Sequence, residues 1–178
     1  MNLGSGGARG TDNARPAVTA VGRRRSVGVS VDGSVVAAGT PRSTEYSVGA
    51  WRDIVAVAAG NVRTASNTGR SHTVGLRTNG TVVAVGWNGD GQCDVAGRAD
   101  VVAVAGWRRT LAVLANGTAH ATGRPDEGAC EVDGWREIVA TAAGDWHSVG
   151  LRADGSVLAA GDNDDGQCDI AHWHLRTR

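Results

Sequence analysis

One stretch decides the fold: Gly144-Asp-Trp-His-Ser-Val-Gly-Leu151, then a turn at Asp154-Gly155, then Val157-Leu-Ala-Ala-Gly161, and finally Trp173. The same pattern occurs three more times upstream, and each copy closes 29 residues after its opening glycine. The opening glycines are Gly22, Gly69, Gly106 and Gly144, and the closing residues are Trp51, Arg98, Trp135 and Trp173. Self-similarity of this kind is the signature of a repeat architecture, so the chain is predicted to be an array of four repeats.

The repeats predict one domain at residues 17–173, with units at about 17–51, 52–98, 99–135 and 136–173. Residues 1–16 are rich in glycine and arginine and lack apolar periodicity, which predicts a disordered tail. Residues 174–178 follow the last closing residue and are predicted to form a short C-terminal tail.

Each repeat is predicted to be a small antiparallel sheet. Segments such as Ile54-Val-Ala-Val-Ala-Ala59 are typical of buried strands, and the Asp-Gly or Asn-Gly pair supplies the positive φ of a two-residue hairpin turn. Three strands are clear in each unit, and so small a sheet buries its apolar faces only by stacking on its neighbours. Propeller blades repeat at roughly 40 residues. The predicted fold is therefore all-β, a β-propeller-type array of four small antiparallel blades.

The second and fourth repeats share a specific motif. Gly69 to Asp94 and Ala142 to Asp169 contain His-Ser/Thr-Val-Gly-Leu, an Asp/Asn-Gly turn and Asn-x-Asp-Gly-Gln-Cys-Asp, whereas Arg25 and Arg109 replace the histidine in the other two repeats. The motif resembles the repeats of the regulator of chromosome condensation family, in the compact form common in bacteria. The resemblance implies a ring of seven blades for a full-length member, so four repeats predict a partial or incompletely closed ring.

An open array leaves its first and last blades uncovered. Unprotected sheet edges and apolar faces promote association. The sequence therefore predicts either self-association through the end blades or tightening into a smaller closed ring.

The charge balance excludes some classes of protein. Eighteen basic residues match eighteen acidic ones, and a generic nucleic-acid binder needs a basic excess to displace counterions. No apolar run approaches a membrane span, and the N-terminus lacks the apolar core of a signal peptide. We expect a cytoplasmic protein that binds neither nucleic acid nor membrane, and the high Arg, Ala, Val and Gly usage is typical of a GC-rich bacterial genome.

The residues that could carry chemistry fall on repeated positions. Cys93, Cys130 and Cys168 each lie seven residues after a glycine, so we interpret them as one structural position that forms no disulfide, metal site or cofactor site. Two histidines, His72 and His147, also occupy one repeat position in non-adjacent repeats and cannot share a catalytic site. The chain is therefore predicted not to be an enzyme.

The tryptophans divide into two groups. Trp51, Trp135 and Trp173 are repeat positions and are predicted to pack between units. The others break the repeat and lie in loops among charged residues, which is typical of a protein-binding face, although they could instead cover blade edges. The candidate binding residues are Trp87, Asn88, Asp90, Trp107, Arg108, Trp146 and Asp164.

The sequence thus favours a non-catalytic protein-interaction module whose protein partner it does not identify. The resemblance implies two alternatives: a guanine-nucleotide exchange factor for a small GTPase, or an inhibitor of a secreted enzyme such as a β-lactamase. A truncated fragment without independent function is a further alternative, because the family usually has more repeats.

Overall fold

The computed structural model describes residues 18–22, 25–39, 44–61, 70–106 and 108–177. These residues form four three-stranded antiparallel sheets, each with its strands in chain order, and no α-helix. The strands are β1 (Thr19–Gly22), β2 (Arg25–Val29), β3 (Val35–Gly39), β4 (Ile54–Asn61), β5 (Ser71–Arg77), β6 (Val82–Gly86), β7 (Val101–Gly106), β8 (Arg109–Leu114), β9 (Ala119–Gly123), β10 (Ile138–Ala143), β11 (His147–Arg152) and β12 (Val157–Gly161). Short 3-10 turns occur at Thr44–Tyr46 and Asp126–Gly128. Each sheet is one repeat, so blades 1 to 4 are β1–β3, β4–β6, β7–β9 and β10–β12, and the predicted all-β fold is confirmed.

The hairpin turns lie where the sequence predicts them but contain one residue more. In blade 2 the Arg77 N–H donates to the Thr81 carbonyl at 2.9 Å, which leaves three residues between them, and Gly80 takes φ 77°. The two-residue prediction is therefore wrong. A turn whose last residue adopts positive φ is the usual three-residue hairpin, and the Asn79 side chain caps it by accepting from the Thr81 N–H at 3.0 Å.

Each turn glycine also joins its blade to the next one. The Gly33 carbonyl accepts from the Ile54 N–H at 3.0 Å, and Gly80 and Gly117 accept from the next blades in the same way. A Cβ on Gly33 would lie 3.2 Å from the Asp53 Cα, so the contact favours glycine by space as well as by φ. At Gly155 the Leu175 N–H is the donor, at 2.8 Å. The C-terminal tail is thus docked on blade 4.

The apolar core is divided among the three joints between consecutive blades. Val27, Trp51 and Val57 belong to the cluster between blades 1 and 2. A second cluster joins blades 2 and 3, and a third joins blades 3 and 4 around Leu111 and Trp135. The stacking that the small sheets require is therefore supplied by their neighbours in the chain.

The outer faces of the first and last blades are open. On blade 1, Val21 is 74% and Val36 is 59% exposed, and on the last repeat Trp173 is 45% exposed. The partial ring predicted from the repeat number is confirmed. Tightening into a smaller closed ring is not observed, because closure would bury these side chains.

Candidate protein-binding face

The predicted binding residues gather at one end of the blades, which we call the loop end. It is opposite the hairpin turns and carries the loops that follow the first and third strands of each blade. Trp87, Asn88 and Asp90 follow β6, Trp146 precedes β11, and Asp164 follows β12. The antiparallel order of the strands brings these loops to the same end, although they are far apart in the sequence. Trp107 lies outside the described residues.

Trp146 lies between two arginine side chains at the loop end. The Arg108 guanidinium lies 3.8 Å from the centroid of its ring and that of Arg124 lies 5.0 Å from it. Both arginines belong to blade 3 and Trp146 to blade 4, so the contact bridges two blades. Arg108 also forms an ion pair with Asp145, and Arg124 forms one with Asp126. Cation–π contacts of this kind contribute about 0.5–2 kcal/mol each and fix the indole in place.

Arg108 is one of the predicted binding residues, but the structure places it beneath the surface of the loop end. It is 2% exposed, so a partner could not reach its guanidinium. Its place against Trp146 and Asp145 makes it a residue that positions the face. Two further arginines belong to the loop end: Arg124, and Arg70, whose guanidinium lies 5.2 Å from the centroid of the Trp87 ring. Neither arginine stands in a recognisable motif, and only proximity in the fold identifies it.

Two loops of the loop end have the same internal hydrogen bonds. In the loop after β6, the Asn88 Oδ1 accepts from the Cys93 N–H at 2.7 Å and its Nδ2 donates to Asp94 at 2.8 Å. Asn163 makes the same bonds with Cys168 and Asp169. The Asn side chains are therefore used to shape their own loops, while Asp164 is exposed and Asp90 is half-buried.

The three cysteines are free and occupy one structural position. The thiols of Cys93, Cys130 and Cys168 donate to the carbonyl oxygen six residues earlier, at 3.6, 3.2 and 3.2 Å. Burial, and then the nearby Asp94 carboxylate, raise the pKa of Cys93 to about 11. Such a thiol has little thiolate at neutral pH and is a poor nucleophile.

The repeat position of Arg25, His72 and Arg109 connects each blade to the next one. Arg25 donates to the carbonyls of Gly60, at 2.7 Å, and of His72. Arg109 donates to the carbonyls of Gly144, Asp145 and His147 at 3.0–3.2 Å. The two arginines, which break the sequence motif, therefore connect their blade to the next one, as His72 does through the Thr110 hydroxyl.

A hydroxyl at the following position makes a second contact between blades. Thr73 of blade 2 donates to the Glu45 carbonyl of the first repeat at 3.0 Å. Thr110 donates to the Gln92 carbonyl at 2.7 Å and Ser148 to the Ala129 carbonyl at 2.6 Å. The same bond therefore occurs at all three joints.

The imidazole of His72 is fully buried and its tautomer follows from its neighbours. Its Nε2 lies 3.2 Å from the Thr110 hydroxyl, and that hydroxyl already donates its proton to the Gln92 carbonyl. Nε2 must therefore be the donor, and Nδ1 is buried without a hydrogen-bond partner. Burial, and then the positive charge of Arg25, lower the pKa of His72 to about 3.

This environment predicts a pH-dependent stability. The unfolded chain binds a proton on His72 below its ordinary pKa of about 6.5 while the folded protein does not, so the free energy of unfolding falls as the pH drops. We expect the slope to approach about 1.4 kcal/mol per pH unit well below pH 6.5, which gives a loss of about 1.6 kcal/mol between pH 6.5 and 5. Urea unfolding across this range measures it. His72→Gln should flatten the pH dependence, whereas the control His172→Gln, at an exposed position near the end of the fourth repeat, should retain it. Equal slopes in all three proteins would contradict the assignment.

In the part of the chain that the structure describes, no group of three or more His, Cys, Asp or Glu side chains is placed to hold a metal ion. No helix among these residues is long and apolar enough to span a membrane.

Comparisons with known proteins agree with this architecture. The family model of the regulator of chromosome condensation (RCC1) repeat matches residues 67–92 and 138–167. Among curated protein sequences, no match to this chain is found.

Solved structures share the fold. Prp20p from Saccharomyces cerevisiae, described with its binding to Gsp1p and histones, superposes with a TM-score of 0.67 at 15% identity, over 89% of this chain and 48% of that protein. Yeast RCC1 (Prp20) bound to Kap60 gives 0.66 at 18% identity, over 89% and 46%. The ectodomain of the Physcomitrella patens receptor kinase CR4 gives 0.68 at 17% identity, over 89% and 45%.

This chain spans about half of the length of these structures. At such low identity the similarity shows the fold, while the repeat model adds the sequence pattern of two of the four blades. The chain therefore carries repeats of the regulator of chromosome condensation type and folds as blades of an RCC1-like propeller.

Proposed function

We propose that this chain is a non-catalytic protein-interaction module that binds its partner at the loop end. The observation that carries the proposal is the geometry of Trp146, a partly exposed indole held between Arg108 and Arg124. An aromatic side chain fixed before binding loses little conformational entropy when a partner packs on it, and tryptophan is enriched among residues that dominate binding energy.

The chemistry around Trp146 favours a protein over a nucleic acid. Asp164 and Asp165 are exposed in the adjoining loop, and the whole chain has no net charge. Phosphate recognition would need a basic surface. Mixed charges around rigid aromatics suit a protein surface with both acidic and basic groups.

The structural neighbours support the same class of partner. Yeast Prp20 is described with Gsp1p, histones and Kap60, all of which are proteins. At this identity the likeness does not carry those partners to this chain. The exchange-factor, inhibitor and fragment alternatives stay predictions, since none has a separate observation in its favour.

Hydrogen exchange in the presence of a captured partner tests the proposal. We expect new protection at residues 87–94, 145–146 and 162–165, and Trp146→Ala is expected to weaken binding by about 30-fold, the effect of losing a residue worth 2 kcal/mol. The control is Val31→Ser, which changes an exposed residue of a hairpin turn, far from the loop end, and should leave binding unchanged. Protection confined to the hairpin-turn end, or equal binding by a folded Trp146→Ala variant, would contradict the proposal.

A further inference from the structure

Two of the three internal joints, between blades 1 and 2 and between blades 3 and 4, place a closing tryptophan on a glycine of the next blade. Trp51 packs on Gly75 and Trp135 packs on Gly150, so closely that a Cβ on these glycines would lie 2.8 and 2.6 Å from the ring. The equivalent glycine of blade 1 is Gly28, because it occupies the same position in the middle strand. Among the described residues no tryptophan covers it: the nearest atoms to a Cβ there are the Val36 Cγ2 at 3.6 Å and the Val18 carbonyl oxygen at 4.0 Å.

Blade 4 presents the other half of this contact. Trp173 is the closing residue of the last repeat and remains 45% exposed, whereas Trp51 and Trp135 are 6% and 7% exposed. One end of the array therefore offers the tryptophan, and the other end offers the glycine on which such a tryptophan packs.

The hydroxyl contact is divided between the ends in the same way. At the joints, Thr73, Thr110 and Ser148 donate to a carbonyl of the preceding blade. The equivalent hydroxyl of blade 1 belongs to Ser26, which is exposed, and the equivalent carbonyl after blade 4 belongs to Gln167.

The apolar surface of blade 1 fits the same arrangement. Val83 and Val85 on blade 2 pack against blade 1, and Leu158 and Ala160 on blade 4 pack against blade 3. Val36 is the residue of blade 1 that is equivalent to Val83 and Leu158, because all three pair with the middle-strand glycine of their own blade. Val36 is exposed, since no other blade of the described residues packs on it.

We propose that a second copy of this chain docks head to tail, with its blade 1 on blade 4 of the first copy; this goes beyond the proposed loop-end function, because it uses the end blades instead. Trp173 packs on Gly28 of the second copy, the Ser26 hydroxyl donates to the Gln167 carbonyl, and His147 contacts Ser26 as His72 contacts Thr110. At the internal joints the next blade donates a hydrogen bond to the carbonyl of the turn glycine. At Gly155 the Leu175 N–H of the same chain already makes this bond, so docking does not require it. The contact is heterologous, and it therefore forms a ring or a filament through one type of joint.

A mixing experiment distinguishes this joint from other kinds of association. Trp173→Ala removes the indole ring and with it one half of the joint. Gly28→Val fills the space that the tryptophan needs and removes the other half. Each variant keeps one intact end, so an equimolar mixture can form a single joint and no more. The full 178-residue chain is followed by sedimentation velocity at micromolar concentration.

We expect the wild type to sediment as a dimer or larger, each variant to weaken association by about 30-fold or more, and the mixture to form a heterodimer. A monomeric wild type, an unaffected Gly28→Val variant or a mixture that stays monomeric would overturn the proposal. The control Val31→Ser, at an exposed valine of a hairpin turn, should behave as the wild type. Trp146→Ala should also associate normally, so failure of the loop-end face and failure of the head-to-tail joint are separate results.

Discussion

Replacing Arg109 by alanine is expected to lower the free energy of unfolding by about 3 kcal/mol or more, because hydrogen bonds to a charged group are worth about 1.5–3 kcal/mol each when buried partners lose them. Arg109 is 1% exposed, and its guanidinium donates to three carbonyls of blade 4. Alanine removes these donors and leaves a cavity at the joint. The measurement is equilibrium unfolding in urea.

The matched control is Arg136→Ala. Arg136 also donates to two backbone carbonyls, those of Asp133 and Trp135, but it is exposed and both acceptors belong to its own repeat. We expect a change within about 0.5 kcal/mol. Arg109→His should lose less stability than Arg109→Ala, because histidine is the residue at the same position in the second and fourth repeats and can donate to Ser148. Equal losses in Arg109→Ala and Arg136→Ala would show that Arg109 does not stabilise the joint.

Trp135→Ala is expected to cost about 3–5 kcal/mol, the usual effect of deleting a large buried aromatic side chain. Its ring fills the space above Gly150 and contacts Ile138 in the cluster between blades 3 and 4. Thermal unfolding measures the loss. The same substitution at Trp173 is the control, because this residue has the same repeat position and no following blade to pack on.

We expect Trp173→Ala to change the stability of the folded monomer by less than about 1 kcal/mol. The comparison is made at low protein concentration, where association through the end blades contributes little. Similar losses at both positions would contradict the structure, because they would mean that Trp173 is buried in the monomer. Similar small effects at both would mean that the closing residues do not carry the packing between blades.

The sequence alone was sufficient for the number of blades and the positions of the hairpin turns, although not for the length of the turns. Their signals are local: period-two apolar segments define the strands, and glycines such as Gly33 and Gly80 adopt positive φ within a few residues of the strands that they connect. The repeats also place Cys93, Cys130 and Cys168 at one equivalent position, because aligning the repeats with each other identifies equivalent residues from the sequence alone.

The candidate face was only partly predictable. Trp146 was found because it departs from the repeat, but its neighbours Arg108 and Arg124 lie 38 and 22 residues away in sequence and meet it only where two blades pack. Burial separates their roles: Arg108 positions the indole from beneath, while Arg124 is half-exposed. No pattern in the sequence distinguishes a buried arginine in a loop from an exposed one.

The sequence by itself determined that this protein is an array of four β-blades, because strand periodicity, turn chemistry and repeat number are properties of short segments and their count. Only the tertiary structure decided what each repeated position does. Trp135 and Trp173 have the same place in the repeat, yet one is buried and the other exposed, and Arg109 binds carbonyls of another blade. The physical reason is that burial and hydrogen bonding depend on the neighbouring blade, which a residue's own repeat does not encode.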